Sequence, residues 1–397
     1  MLDQSIVREA TRLTRAGRLI EAAALLQRML REEGASSGTT GRAVRVGLAR
    51  LEPPTLEVKA HVVEERKSGR PMEHASILGH RRPAPFKGVK DFAGLGLRGL
   101  SRRAPPSTSD VVPDGASFIE GTFGNAAGSR TYKLFIPSRA PAPPRPLIVM
   151  LHGCTQSPDD FAAGTRMNFL AEEQNCFVVY PEQPHGANQA KCWNWFRAGD
   201  QQRGDGEPSL IAGITRQIMR DHGIDPKRVY VAGLSAGGAA AAIMGATYPD
   251  LYAAVGVHSG LACGAASDLS SALTAMRQGG APVATVKACS AVPTIVFHGD
   301  RDTTVHPDNG DRVLDGLGEA ESRKAKVVRG RVPDGHSYTR TILTTAQGRD
   351  ISEHWSVHGA GHAWSGGSPA GSYTDPRGPD ATREMLRFFM EHPLSAQ

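Results

Sequence analysis

The stretch that decides the fold runs from Arg228 to Met244 and reads RVYVAGLSAGGAAAAIM. Its first five residues form a short apolar, β-prone segment, and its last seven are small residues that favour a helix. Between them, Gly233 to Gly237 has the pattern Gly-x-Ser-x-Gly with Ser235 at its centre. A strand, a sharp turn and a helix in this order hold a serine in a strained backbone conformation with its hydroxyl exposed. We therefore predict that Ser235 is a nucleophile rather than part of a glycine-rich structural turn.

A serine nucleophile needs a base and a carboxylate, which in this architecture follow it in the order Ser, Asp, His. The apolar segment 293–297 predicts a buried strand and leads into two acidic residues. We predict that Asp302 is the orienting carboxylate, with Asp300 as its rival and as a residue that hydrogen-bonds the turn. Further along, His362 lies on a glycine-rich loop and is the predicted base, whereas His358 is predicted to be structural.

The developing oxyanion requires two backbone N–H donors. One is expected from Ala236, directly after the nucleophile. The other is expected from the loop that follows the predicted strand 146–151, and the Cys154 amide is our candidate. Cys154 is a weaker candidate for the nucleophile, because the sequence implies no base beside it.

Seven motifs follow one another along the chain: Leu151–Gln156, Tyr180–Gln183, Cys192–Phe196, Asp225–Tyr230, Gly233–Gly238, His258–Gly260 and Gly361–Trp364. These motifs resemble those of the poly(3-hydroxybutyrate) depolymerase-type esterase family and stand in the family's order. The resemblance covers about residues 115–392 and implies an α/β-hydrolase fold, a Ser-His-Asp triad and carboxylic-ester substrates. It assigns Ser235, Asp302 and His362 to the triad and the two predicted amides to the oxyanion hole. Related feruloyl and acetylxylan esterases leave the substrate open.

The segment 115–392 alternates apolar, strand-like runs with helical segments. This pattern predicts an α/β fold with a mostly parallel twisted sheet and helices on both faces. Residues 117–121 and 130–136 are predicted to form an antiparallel edge hairpin, and 381–389 to form the last helix. Further strands are predicted at 146–151, 176–180, 228–232, 253–257 and 293–297.

The amino-terminal part has a different composition. The first 110 residues carry a formal charge of +8 and the remainder −2. Residues 1–33 predict an amphipathic helical hairpin, and 34–114 predict a linker rich in Gly, Pro and Arg that is largely disordered. The hairpin is expected to pack on the hydrolase or a second copy, or to dock on a partner, a granule or an anionic surface. The scattered basic residues predict no specific nucleic-acid binding.

The first residues lack a basic segment followed by an apolar core, so a cytoplasmic location is favoured. Secretion stays open, because members of the resembled family are often exported. Five cysteines do not make a disulfide framework, although Cys192 and Cys263 could pair in an exported protein. No cofactor, metal or transmembrane segment is expected.

Three tryptophans fall inside the family motifs: Trp193, Trp195 and Trp364. They either line the substrate pocket or serve as core packing. The favoured function is a serine esterase acting on poly(3-hydroxybutyrate)-type polyester or its oligomers. The alternative is a feruloyl, acetylxylan or short-chain esterase, and a remote alternative is a non-catalytic interaction protein.

Overall fold

The computed structural model describes residues 106–139, 144–280, 292–315, 324–345, 348 and 350–394. The helical hairpin predicted at 1–33, and the predicted linker up to residue 105, lie outside the described residues. Between 106 and 114 the chain forms the short helix α1 (Thr108–Val111). Val111 is buried, and its carbonyl oxygen accepts a 2.9 Å hydrogen bond from the Asn168 side chain. The folded unit therefore begins before residue 115, within the segment predicted as linker.

Twelve strands are present in the described residues. They are β1 (Ser117–Asn125), β2 (Gly128–Ile136), β3 (Arg145–Leu151), β4 (Phe177–Pro181), β5 (Ile224–Leu234), β6 (Ala254–His258), β7 (Thr294–Gly299), β8 (Lys324–Arg331), β9 (Ser337–Thr344), β10 (Asp350–Val357), β11 (Trp364–Ser365) and β12 (Thr374–Asp375).

The helices alternate with these strands. After α1 come α2 (Pro158–Thr165), α3 (Met167–Gln174), α4 (Gly206–His222), α5 (Ala236–Thr247), α6 (Leu269–Gln278), α7 (Asp308–Asp315) and α8 (Ala381–Glu391), with one 3-10 turn at Ala198–Gln201.

The main sheet orders its strands β1-β2-β4-β3-β5-β6-β7-β10-β9-β8. The six central strands run parallel to one another and are, in spatial order, β4, β3, β5, β6, β7 and β10. An antiparallel hairpin lies at each edge of the sheet, β1 with β2 on one side and β9 with β8 on the other. Because parallel strands end at the same edge of a sheet, the residues that follow β3, β5, β7 and β10 meet there. This is an α/β-hydrolase fold, as predicted, and the predicted hairpin of β1 and β2 is confirmed.

The sheet is covered on both faces, which explains why its central strands have no polar alternation. Residues Leu147–Leu151 are fully buried, and so are the facing parts of β5 and β7. One core forms against α4 and α5, and the other against α2, α3 and α8. Within the described residues, no helix is both long and apolar enough to cross a bilayer.

The hairpin of β8 and β9 was not predicted from the sequence. Its outer strand carries Lys324, Lys326, Arg329 and Arg331 and is exposed along most of its length. Charged side chains on a sheet edge hinder pairing with other chains. Since this strand buries almost no apolar surface, it lacks the hydrophobic pattern by which the other strands were recognised.

Candidate active site

The turn between β5 and α5 places Ser235 in a strained conformation, with φ 57° and ψ −119°. A positive φ is uncommon for a residue with a side chain and costs about 1–3 kcal/mol. Ser235 is the residue before the first turn of α5, yet its side chain makes no capping hydrogen bond. The hydroxyl is therefore not used to stabilise the helix.

The glycines on both sides of Ser235 allow backbone segments to approach closely. A methyl group on Gly237 would overlap the carbonyl oxygen of Leu151, at the end of β3. A methyl group on Gly233 would overlap the carbonyl oxygen of Gly237. Side chains at either position would push the turn away from β3, so the Gly-x-Ser-x-Gly pattern is a packing requirement of this turn.

Asp302 and His362, predicted from separate parts of the sequence, are in direct contact. The Nδ1 atom of His362 lies 2.7 Å from Oδ2 of Asp302, whose side chain is fully buried. The other carboxylate oxygen accepts hydrogen bonds from the Thr304 and Val305 amides at 2.8 and 2.9 Å. Burial raises the pKa of Asp302, but hydrogen bonds from His298 and His362 outweigh it and hold the pKa well below its usual range. The carboxylate is thus ionised and fixed.

Asp300 occupies a different position. Its Oδ1 accepts a 2.7 Å hydrogen bond from the Gly359 amide, and its Oδ2 lies 3.0 Å from Nδ1 of His358. The second nitrogen of His358 lies 2.8 Å from the Thr339 hydroxyl. Asp300 and His358 therefore brace the turn after β10, as predicted, and Asp302 is the carboxylate that meets His362.

Ser235 is connected to the same cluster through its backbone. Its N–H donates a 2.9 Å hydrogen bond to the carbonyl oxygen of His258, at the end of β6. Nε2 of His258 in turn accepts a 2.9 Å hydrogen bond from the N–H of Ser365, three residues after His362. Burial holds the pKa of His258 well below its usual range. No hydrogen bond joins the Ser235 hydroxyl to the His362 ring within the described residues.

The loop after β3 lies against the turn that contains Ser235. A Cβ atom built on Gly153 would lie 3.7 Å from Cβ of Ser235. The next amide along the loop, that of Cys154, makes no hydrogen bond within the described residues. The Ala236 N–H, at the first position of α5, has no intrahelical acceptor. Both predicted oxyanion donors thus lie beside Ser235 with their N–H groups unused, while their role stays a prediction.

Cys192 does not pair with Cys263, the partner that the sequence left open for an exported protein. Cys192 forms a disulfide with Cys154, 38 residues earlier in the chain. The loop after β3 and the loop around residue 190 run side by side, and the Thr155 N–H donates to the carbonyl oxygen of Ala190 at 2.7 Å. Sequence spacing carries no information about this meeting of two loops. The bond also occupies the sulfur of Cys154, which removes that residue as an alternative nucleophile.

A buried polar network, which the sequence analysis missed, supports the loop after β3. The Gln183 N–H donates to Nε2 of His152 at 3.1 Å, and Nδ1 of His152 lies 2.7 Å from the Gly153 carbonyl oxygen. The Gln183 side chain also donates to the Cys192 carbonyl oxygen at 3.0 Å. Burial lowers the pKa of His152 to about 4, so the ring is neutral and accepts from Gln183. The motifs containing His152 and Gln183 were the only sequence signal for this network.

Glu207 belongs to the same buried network, which it joins through Gln183. Its carboxylate accepts from the Asn194 amide N–H at 2.7 Å, from the Asn194 side chain at 2.6 Å and from the Gln183 side chain. Burial and the nearby Asp200 carboxylate raise the pKa of Glu207 to about 7. Within the described residues, no group of three or more His, Cys, Asp and Glu side chains could hold a metal ion.

All three predicted substrate-pocket tryptophans are buried. Trp193 donates its ring N–H to the His152 carbonyl oxygen at 3.1 Å and is 0% exposed. Trp364 donates to the Thr382 hydroxyl at 2.9 Å, stacks on His258 and is 1% exposed. Trp195 is 4% exposed and lines a small cavity with Glu207. These positions favour the packing interpretation, since none of the rings presents a face to the surface; substrate contact stays a prediction.

Comparison with known proteins places this fold among esterases. The family model described as esterase PHB depolymerase matches residues 130–319. Poly(3-hydroxyalkanoate) depolymerase C of Paucimonas lemoignei is 33% identical over 255 residues, which cover 60% of this chain and 60% of that protein. Probable acetylxylan esterase A of Aspergillus clavatus is 29% identical over 220 residues, covering 51% and 70%. Feruloyl esterase B of Thermothelomyces thermophilus is 31% identical over 159 residues, covering 40% and 53%.

Among solved structures, an acetyl xylan esterase from Aspergillus awamori matches with a TM-score of 0.53 and 18% identity. The match covers 70% of this chain and 99% of that one, and it shows the shared fold. The chain spans 60% of the length of the Paucimonas protein and a little over half of the Thermothelomyces protein.

Proposed function

We propose that this chain, whose residues 130–319 form a domain of the esterase PHB depolymerase family, is a serine carboxylic-ester hydrolase. The observation that carries the proposal is the 2.7 Å contact between His362 and the buried Asp302 carboxylate, at the same sheet edge as the strained Ser235. A base that is oriented by a carboxylate, near a serine held in a strained turn, is the arrangement that activates serine for acyl transfer.

In the first half of the proposed reaction, Nε2 of His362 takes the proton of the Ser235 hydroxyl while Oγ attacks the ester carbonyl carbon. The negative charge that forms on the carbonyl oxygen is held by the Cys154 and Ala236 N–H groups. The bond to the leaving alcohol then breaks, and His362 returns the proton to that alcohol. Because the Ser235 hydroxyl and the His362 ring are not hydrogen-bonded in this conformation, the two approach each other when substrate binds.

In the second half, a water molecule gives its proton to His362 and attacks the acyl group on Ser235. The same two amides hold the second oxyanion. Ser235 leaves with the proton from His362, and the free acid departs. Asp302 stays ionised throughout, because its hydrogen bonds hold its pKa well below its usual range. The residues thus return to their starting protonation states.

The proposed substrate is poly(3-hydroxybutyrate)-type polyester or its oligomers. This proposal is supported by the 33% identity to poly(3-hydroxyalkanoate) depolymerase C, the greatest among the relatives named above. The second candidate is a small acyl ester of the acetylxylan or feruloyl type, which is supported by the relatives with those names. Granule docking or self-association through residues 1–33 remains part of the first proposal.

The cytoplasmic location favoured by the sequence stays a prediction. The disulfide between Cys154 and Cys192 weighs against it, since disulfides persist mainly in oxidising compartments. We propose that the active form works with this bond intact. Mass spectrometry of the protein under non-reducing conditions, taken directly from cells, would show whether the bond forms where the protein is made.

The experiment that tests the function compares the wild type with Ser235→Ala and with Ser270→Ala, which removes an exposed serine hydroxyl on α6. Each full-length protein is assayed on amorphous poly(3-hydroxybutyrate) granules and on a short-chain p-nitrophenyl ester. We expect Ser235→Ala to lose at least about a thousandfold in kcat on both substrates, while Ser270→Ala keeps full activity. Granule clearing with release of hydroxybutyrate oligomers supports the polyester substrate.

If the protein cleaves the short-chain ester but does not clear granules, the result contradicts the polyester substrate and supports small acyl esters instead. Substantial activity of Ser235→Ala on either substrate contradicts the serine mechanism itself.

A further inference from the structure

His298 is a buried imidazole for which the proposed reaction has no use. It lies near the end of β7 and is 2% exposed. Its Nε2 atom lies 2.9 Å from the carbonyl oxygen of Val305 and 3.4 Å from Oδ2 of Asp302. That carboxylate oxygen is the one that also contacts His362. A second imidazole therefore borders the contact between the proposed acid and base.

The tautomer of His298 follows from its neighbours. A carbonyl oxygen only accepts hydrogen bonds, so Nε2 must carry the proton that faces Val305. Nδ1 of His298 is buried and has no hydrogen-bond partner within the described residues. A second proton on Nδ1 would be buried without an acceptor, which is costly. The ring therefore offers one proton, shared between the Val305 carbonyl oxygen and the Asp302 carboxylate.

Val305 forms hydrogen bonds with both His298 and Asp302. Its N–H donates to Oδ1 of Asp302 at 2.9 Å, and its carbonyl oxygen accepts from His298. The Thr304 N–H donates to the same carboxylate oxygen. His298 thus holds Asp302 in two ways, directly at Oδ2 and indirectly through the loop that binds Oδ1. The hydrogen bond from His298 also contributes to the low pKa of Asp302.

We infer that His298 is a positioning residue, which holds Oδ2 of Asp302 in line with Nδ1 of His362 by donating its Nε2 proton to Val305 and Asp302. The inference rests on the proposed function, in which Asp302 orients the base. A carboxylate that rotates away from His362 leaves the imidazole free to adopt the wrong orientation, and small misplacements of this kind slow the chemical step.

If His298 only packed, replacing it would have the same effect on kcat as replacing a neighbouring buried ring. His354 is that neighbour and provides the matched control. A Cβ atom on Gly310 would lie 2.9 Å from Nε2 of His354 and 3.2 Å from Nδ1 of His298, so both rings border the same glycine. Nδ1 of His354 lies 3.0 Å from the Asp311 carboxylate, and not from Asp302. Replacing either ring disturbs the same packed region, but only one change reaches the proposed triad.

The test uses the full-length variants His298→Leu, His298→Gln, His298→Asn and His354→Leu. We expect His298→Leu to lower kcat on a short-chain ester by about 10- to 100-fold with KM unchanged. His298→Gln can place an amide N–H near the Nε2 position and should recover most of that loss. His298→Asn places its amide near Nδ1 and should not. His354→Leu should keep its kcat.

A second measurement does not depend on turnover. The His362 Nδ1 proton, which lies between the ring and Asp302, should give a downfield proton NMR signal. We expect this signal to shift or broaden in His298→Leu and His298→Asn, and to stay in His298→Gln and His354→Leu. If His298→Leu fails to fold, the contrast between His298→Gln and His298→Asn decides the question.

Two results would overturn the inference. One is a folded His298→Leu protein with wild-type kcat and an unchanged signal. The other is an equal loss in His354→Leu, which would mean that packing alone is at work. Failure of the proposed function is a separate result, because it shows as residual activity of Ser235→Ala, and the NMR signal still reports on His298 and Asp302 in that case.

Discussion

The N–H of Ser235 donates a 2.9 Å hydrogen bond to the carbonyl oxygen of His258, and this bond joins the turn that contains Ser235 to the neighbouring strand β6. The His258 ring extends the link, because its Nε2 accepts from Ser365 just beyond His362. A single buried imidazole, neutral because burial lowers its pKa, thus connects the backbone of the proposed nucleophile to the loop of the proposed base. The predictions below follow from this and the other contacts around Ser235.

Asp302→Asn and Asp300→Asn should differ in their effect on kcat, and so distinguish the predicted orienting carboxylate, Asp302, from its rival, Asp300. An amide at this position favours the wrong His362 tautomer, so we expect kcat to fall by about a thousandfold or more, with little change in KM. Asp300→Asn removes a contact to the His358 turn and should reduce kcat by less than about tenfold. Steady-state kinetics on a short-chain ester measure both, and equal losses would contradict the assignment.

Cys192→Ser should destabilise the protein and slow it. Opening a disulfide that closes a loop of 38 residues costs about 4 kcal/mol in the chain-entropy model. The loop that presents the Cys154 amide would also loosen, so kcat should fall by about tenfold or more. Chemical denaturation and ester kinetics provide the measurements. Cys176→Ala, which changes a buried thiol away from this loop, is the control and should keep its kcat.

Gly237→Ala should disrupt the turn that holds Ser235. Because the added methyl group would overlap the Leu151 carbonyl oxygen, α5 must shift, and we expect a loss of about 1–3 kcal/mol in unfolding free energy together with most of the activity. A Cβ on Gly186 would meet no atom within 4 Å, so Gly186→Ala should match the wild type in thermal unfolding and kcat. A fully active Gly237→Ala protein would argue against the observed turn.

The stability of the fold should depend on pH through His152. Burial lowers its folded-state pKa to about 4, whereas an unfolded histidine titrates near 6.5. Below 6.5 the unfolded chain binds a proton that His152 excludes in the folded chain, so the contribution of His152 to the unfolding free energy is lost as the pH falls from about 6.5 to about 4. The contribution is about 3 kcal/mol.

Unfolding free energies measured across this pH range check that prediction. His152→Gln should show a smaller slope than the wild type, whereas His185→Gln, which changes an exposed ring, should keep the wild-type slope. Identical slopes in all three proteins would mean that His152 takes up its proton equally in the folded and unfolded states, which would contradict the lowered pKa.

Trp364→Phe should show whether this buried tryptophan packs or binds substrate. The change removes the hydrogen bond to Thr382 and part of the stacking on His258, and we expect a loss of about 1–3 kcal/mol in stability. If the residue only packs, KM should stay within about twofold of the wild type. A large rise in KM at unchanged stability would instead support the substrate-pocket interpretation.

Some strands could be predicted from the sequence and others could not. The buried parallel strands were recognised because each is a short apolar run with turn residues at its ends. The outer strand β8 was missed, because it is exposed and charged and carries no such pattern. The linker boundary at 114 was placed too late, because one buried residue, Val111, leaves little trace in an otherwise polar segment.

By itself, the sequence determined the chemistry available to this protein. The turn around Ser235, the acidic pair before His362 and their order along the chain are local patterns, in which the residue types and spacings follow from backbone geometry. The tertiary structure brought the predicted Asp302 to His362, and it alone decided that Cys154 pairs with Cys192 and that His298 lies behind Asp302. The disulfide and the contact between Asp302 and His362 join residues 38 and 60 positions apart, and only the packing of the sheet and its loops brings them within bonding distance.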